Sequence, residues 1–222
     1  MQLIRLSSIQ GGAEPLYQRL VEELETGDKV LWLVPGGSNI PLSAEISKRL
    51  PEELTKNLTI YLTDERYGDV WHADSNTRQL DEAGFEPKQA TMVPVLTGDL
   101  TLEETTEHYA DALAAAFVEN DVVIGQFGMG PDGHIAGILP GSPAVDSTEL
   151  AAGYQTESFT RITMTPEAIQ HVDAAYVYAF GDAKREALEN LERELPLVEQ
   201  PAQILKQLPE SFVYNDQIGE DV

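Results

Sequence analysis

The sequence predicts an α/β fold built on a mainly parallel sheet flanked by helices. Two observations carry that expectation. Five short runs are nearly all apolar, as strands covered on both faces tend to be, and the stretches between them space apolar residues three and four apart, as amphipathic helices do. Strand and helix patterns alternate along the chain, which is the signature of parallel strands joined by helical crossovers.

In chain order, residues 14–25 read as a helix and residues 30–34 as the first strand. Pro41 favours the first turn of a helix over 41–50. A strand follows at 58–62, and Asp74, Ser75 and Asn76 suit the cap of a helix running through Arg78 and Leu80. A helix over 102–118 leads into a strand at 122–127. The last third reads as a strand at 175–180, helices at 182–195 and 201–207, and a strand at 212–214. The stretches 84–87 and 141–153 read as loops within one domain, because no internal repeat, low-complexity tract or Pro/Gly/Ser linker interrupts the chain. One α/β domain over residues 1–222 is therefore expected.

Charge narrows the choice of partner. The 222 residues include 38 acidic and 14 basic ones, a formal net charge of -24, so long-range repulsion disfavours nucleic acid and anionic membranes. An anionic ligand would need some of those few cations gathered in one pocket. No stretch approaches the ~20 apolar residues of a spanning helix, and the N-terminus lacks the apolar run and cleavage pattern of a secretory signal. The chain is therefore expected to be cytoplasmic. With no cysteine, disulfides, thiolate metal sites and a cysteine nucleophile are excluded.

Ligands of such sheets gather at the carboxyl ends of the strands, so the segments after each apolar run are where chemistry is expected. After residues 30–34 comes Pro35-Gly36-Gly37-Ser38-Asn39-Ile40-Pro41. It reads either as an anion cradle, with close backbone approach at the glycines, the Ser38 hydroxyl and a helix N-terminus, or as an ordinary capped strand-to-helix turn. It lacks the lysine and spacing of a P-loop and does not complete a G-x-S-x-G elbow. After residues 58–62 comes Thr63-Asp64-Glu65-Arg66-Tyr67, where Glu65 and Arg66 form either a surface ion pair or part of a site.

After residues 122–127 comes Gly128-Met129-Gly130-Pro131-Asp132-Gly133-His134-Ile135-Ala136-Gly137. It formally matches G-x-G-x-x-G, but its mid-chain place and the following Pro140-Gly141 argue against a dinucleotide. The loop instead suits a rigid mount for Asp132 and His134, with the carboxylate favouring the protonated ring as it accepts a proton. The alternative is a structural histidine. His72, His108, His134 and His171 are too scattered for a metal site. Arg161 and Lys184 remain as cations. Lys184 sits in the first turn of a helix, where a positive charge opposes the dipole unless an anion meets it.

In this order the segments resemble those of 6-phosphogluconolactonases and, more distantly, of the glucosamine-6-phosphate deaminases that share their fold. The resemblance covers roughly residues 30 to 190, from the Gly-Gly-Ser turn through Asp-Glu-Arg with Asp-Ser-Asn, the Asp-Gly-His loop and Arg-Ile-Thr-Met-Thr to Gly-x-x-Lys. It implies a Rossmann-like sheet of the sugar-phosphate isomerase/lactonase type, no metal or organic cofactor, and a small-molecule sugar-phosphate substrate. It also implies a phosphate pocket from Gly36, Gly37, Ser38, Arg161 and Lys184, with Asp64, Arg66 and Gly130 completing the substrate-binding set. His134 would be the general base acting on water at a lactone carbonyl and Asp132 its support, with backbone N–H groups of the glycine loop meeting the oxyanion.

There are departures. Family members usually carry Thr or Arg-Thr after Gly-Gly, where this chain has Ser38-Asn39-Ile40, and His-Thr-Ala-Ser where it has His134-Ile135-Ala136-Gly137, wording nearer the deaminases. The deaminase pattern, however, places a glutamate where Leu139 stands and Tyr-Val-Gly where Arg66 follows the acid pair. The alternatives to a lactonase are thus an amino-sugar-phosphate deaminase or isomerase and a non-catalytic sugar-phosphate-binding protein.

Overall fold

Val30–Val34 is buried at every residue, and so is Ala174–Ala179, which is why their sequences show no polar alternation. The computed structural model describes residues 1–221. In chain order the strands and helices are β1 (Gln2–Arg5), α1 (Ala13–Thr26), β2 (Val30–Val34), α2 (Ile40–Arg49), β3 (Leu58–Leu62) and β4 (Asp64–Arg66). Then come α3 (Asn76–Glu82), β5 (Thr91–Val93), α4 (Leu102–Glu119), β6 (Val122–Gly128), β7 (Ala151–Gln155) and β8 (Thr160–Met164). The chain continues through α5 (Pro166–Ile169), β9 (Ala174–Ala179), α6 (Arg185–Leu191), β10 (Glu210–Asn215) and β11 (Glu220–Asp221).

Eight strands form one sheet in the order β11-β1-β10-β9-β6-β2-β3-β5, and every pairing in it is parallel. The sheet is Rossmann-like in one decisive respect. From β2 the chain moves outward through β3 and β5, then returns to the other side of β2 with β6 and proceeds to β9. The carboxyl ends of β2 and β6 therefore diverge at a topological switch point, the place where open parallel sheets bind ligands. Helix α1 closes one face with Leu16, Leu20 and Leu24, spaced four apart and all buried. Trp32 and Phe127, from neighbouring strands of the sheet, lie in the buried core.

A smaller antiparallel sheet, β4-β8-β7, extends from the end of β3 and packs against α4. Sequence patterning does not reveal it. β4 is three polar residues, and β7 lies at the end of the stretch read as loop 141–153. The helix expected over 182–195 is a 3-10 turn followed by α6, ending at Leu191. Side chains take the carbonyls at and just past its end: Gln203 Nε2 donates to Asn190 O at 2.9 Å and, beyond the helix, Lys206 Nζ to Arg193 O at 2.5 Å, while Pro196 prevents continuation. Residues 201–207 coil as a 3-10 helix rather than an α-helix. Among the described residues, no helix is long and apolar enough to cross a membrane.

Candidate active site

The segments following β2, β3, β6 and β9 meet at the switch point and line a cleft there. Eight of the ten residues expected at the site border it: Gly36, Gly37, Ser38, Asp64, Arg66, His134, Arg161 and Lys184. Gly130 and Asp132 do not line the cleft but pack against His134.

The turn after β2 is uncapped. Asn39, at the N-cap of α2, makes no capping bond, which sets aside the ordinary capped-turn reading. Its buried side chain instead donates to Phe127 O at 3.2 Å and Tyr178 O at 3.4 Å, pinning the start of α2 to the carboxyl ends of β6 and β9. Ile40 N donates to Gly37 O and Pro41 has no N–H, so it is the Gly36–Ser38 segment lining the cleft, ahead of α2, whose backbone amides are placed to meet an anion. Gly36 is required by close packing, because a Cβ there would collide with the side chain of Asn76, whose Nδ2 donates to Asp64 O at 3.0 Å.

Glu65 is fully buried, and the surface ion pair considered for Glu65 and Arg66 is not formed. The Glu65 carboxylate accepts from the backbone N–H groups of Arg66 (2.8 Å), Asn76 (2.6 Å) and Thr77 (3.0 Å) and from the hydroxyls of Ser75 (3.1 Å) and Thr77 (2.9 Å). It therefore ties β4 to the first turn of α3, where Ser75 also caps Arg78 N as its sequence suggests. Arg66 faces Arg161 directly across the β4–β8 ladder. Arg66 Nη1 donates to Asp74 O at 2.9 Å, and Arg161 Nη1 lies 3.5 Å from Asp64 Oδ2. Burial raises the Asp64 carboxyl above its ordinary value, an effect opposed by Arg161 and reinforced by Glu65.

The turn after β6 presents His134. Its Nδ1 lies 2.6 Å from Asp132 Oδ1, and its backbone N donates to the same oxygen at 3.2 Å. Gly130 makes this closure possible, since a Cβ there would collide with both partners. Burial pushes the Asp132 carboxyl up, but its hydrogen bonds with His134 and that ring's proximity outweigh this, so it lies below its ordinary value. A carboxylate on Nδ1 directs that proton to Asp132 and leaves Nε2 as the basic nitrogen. Lys184, beyond β9, has its ammonium destabilised by burial, with partial relief from Asp132.

Three glycine amides of the loop are already engaged: Gly130 N donates to His134 O and Gly133 N to Gly130 O within the loop, and Gly137 N to Thr163 Oγ1 on β8, at 2.9, 3.0 and 2.9 Å. These bonds hold the turn in place, so an oxyanion contact from this loop would fall to its other amides. Sequence reasoning missed two neighbours. Asn76 lines the cleft, although it reads as a cap, and Ala136 lines it in a left-handed conformation (φ 51°) that is uncommon for any residue but glycine. Among the described residues no cluster of His, Cys, Asp or Glu is arranged to hold a metal ion.

A parallel sheet whose switch-point cleft is lined by Arg66, Arg161, Lys184 and an Asp132-paired His134 defines an α/β protein of the Rossmann-like kind. Residues 7–213 match the family model described as glucosamine-6-phosphate isomerases/6-phosphogluconolactonase, and the chain belongs to that family. It is 31% identical over 191 residues to a 6-phosphogluconolactonase of Neisseria meningitidis, covering 78% of this chain and 80% of the relative. A glucosamine-6-phosphate deaminase of Lactobacillus johnsonii is 27% identical over 238 residues, covering 98% and 95%. The crystal structure of a 6-phosphogluconolactonase from Shewanella baltica superposes with a TM-score of 0.82 at 20% identity, over 97% of this chain and 98% of that one, a likeness of fold.

Proposed function

We propose that this protein hydrolyses 6-phosphoglucono-1,5-lactone to 6-phosphogluconate, with His134 as general base. The observation that carries the reading is the 2.6 Å His134–Asp132 pair, whose histidine lines a cleft that also holds Arg66, Arg161 and Lys184. In this reading the uncapped Gly36–Ser38 turn and the three cations hold the phosphate and fix the lactone carbonyl near His134. Nε2 removes a proton from water as its oxygen bonds to the carbonyl carbon. The tetrahedral intermediate then collapses, the carbon–ring oxygen bond breaks, and the proton passes from Nε2 to the departing oxygen. Asp132 holds the ring's orientation and offsets its charge while it carries that proton.

The family's deaminases supply the second reading, and the His134-Ile135-Ala136 wording favours it. Against it, Leu139 stands where the deaminase pattern places a glutamate. That residue is apolar, and its backbone N donates to Tyr154 Oη at 3.3 Å. A non-catalytic binding protein would keep the cations and have no use for the His–Asp pair. We also read residues 1–222 as a single domain, a reading supported by a hydrophobic cluster that joins residues from α1 to β10, and the cytoplasm as the place where it acts.

The deciding experiment follows acid release from the lactone against an enzyme-free blank, with and without chelator. Turnover well above the blank and indifferent to chelator is expected. Blank-level hydrolysis together with ammonia release from glucosamine 6-phosphate would establish the deaminase reading instead.

A further inference from the structure

Phe159 stands at the tip of the β7–β8 hairpin. Thr156 clamps that turn, donating its backbone N–H to Phe159 O at 2.8 Å and accepting from Phe159 N on Oγ1 at 3.0 Å. The clamp sets the ring beside both cleft arginines: Cζ of Arg66 lies 4.4 Å from the ring centroid and Cζ of Arg161 lies 5.9 Å from it, each within cation–π reach. These two arginines are cross-strand partners, an arrangement in which like charges repel. The Nε of each is buried without a hydrogen-bond partner. Asp74 O holds Arg66 and Asp64 meets Arg161, so among the described residues no hydrogen-bonding group joins the two guanidiniums. The aromatic face is what they share.

We propose that Phe159 is a positioning residue that sets the separation and tilt of Arg66 and Arg161, so that both present N–H groups to one phosphate dianion in the cleft. The inference rests on the sugar-phosphate reading above. The ring's negative face attracts both cations, offsets part of their repulsion and restricts two long side chains before ligand arrives. An anion then meets a pair already in place. Losing the aromatic face while keeping apolar bulk frees both guanidiniums. The damage falls on phosphate affinity, because His134 is mounted on a different loop.

The test combines calorimetric titration of 6-phosphogluconate and gluconate with steady-state lactone kinetics, on the parent, Phe159→Leu and Phe159→Tyr. For Phe159→Leu the Kd for 6-phosphogluconate and the KM for the lactone should rise about 5- to 10-fold while kcat stays within about twofold. Phe159→Tyr, which keeps the ring, should stay within about twofold of the parent in both. Should Phe159→Leu melt early, Phe159→Met supplies the same loss of the aromatic face. Leu and Met variants that bind 6-phosphogluconate as the parent does would overturn the inference, as would a loss shared equally by gluconate or by kcat. A parent that does not distinguish 6-phosphogluconate from gluconate removes the sugar-phosphate reading itself, and this inference with it.

Discussion

Nδ1 of His134 and Oδ1 of Asp132 are 2.6 Å apart, although only one residue separates them in the chain. So short a connection closes because Gly130 has no Cβ to collide with either partner and its N–H donates to His134 O, folding the turn back on itself. His134→Ala should lower kcat by roughly 10²–10⁴, the usual worth of a positioned base, with ligand affinity within a few-fold. A structural histidine predicts the reverse, a lower melting temperature with near-parent turnover per folded molecule. Both quantities are measured on one preparation. Asp132→Asn removes the charge that offsets the ring's while it carries the proton, so kcat should fall while ligand affinity stays within a few-fold.

Arg161→Ala should weaken the phosphorylated lactone by about 1.5–3 kcal/mol, the worth of a lost charged hydrogen bond. The unphosphorylated lactone should scarcely respond. Equal losses for the two substrates, read as kcat/KM ratios, place the phosphate elsewhere.

Lys184 is a half-buried cation held against the cost of desolvation. Its folded-state pKa lies below the unfolded one, so between the two values the unfolded chain binds more protons and stability rises with pH. Lys184→Met should therefore raise the melting temperature of the ligand-free protein at neutral pH, and the gap should close as the pH climbs toward 10.5. The same variant should lose phosphate affinity. Melting curves at several pH values, with and without inorganic phosphate, test both halves, and a ligand-free variant less stable than the parent contradicts the first.

Glu65→Gln turns one acceptor oxygen into an N–H₂ group facing donors in a buried site. The expected cost is about 2–4 kcal/mol, seen as a lower urea midpoint at unchanged slope. A change below about 0.5 kcal/mol would show that the five donors are satisfied some other way.

Five strands of the large sheet were legible, the central ones because they are buried on both faces, which unbroken apolar runs such as VLWLV record directly; β1, β5 and β11, toward its edges, were not, and β1 and β5 are only partly buried. The small sheet was not legible either. Asp64, Glu65 and Arg66 have no apolar pattern, and their partners lie almost 100 residues away at 161–163. The site was legible in the same proportion. His134 and Asp132 are neighbours in sequence, so their pairing is visible there, whereas the apposition of Arg66 with Arg161 exists only through a long-range antiparallel register. Glu65 reads as a surface acid because charge is the local signal, and its burial depends on donors from 75–77. Phe159 leaves no signal in a polar hairpin.

The place of β1 in the sheet bears on how the chain reaches its native state. Both of its neighbours come from the far end: Gln2–Arg5 pairs with residues 212–215 on one side and with Glu220 and Asp221 on the other. Pairing β1 therefore closes a loop of roughly 200 residues, and the entropy lost in closing it must be met before the contacts repay it. β2, β3 and β6 carry the first half of the cleft and need far shorter closures, so they can assemble earlier and leave the β1 edge as a late part of the sheet to zip.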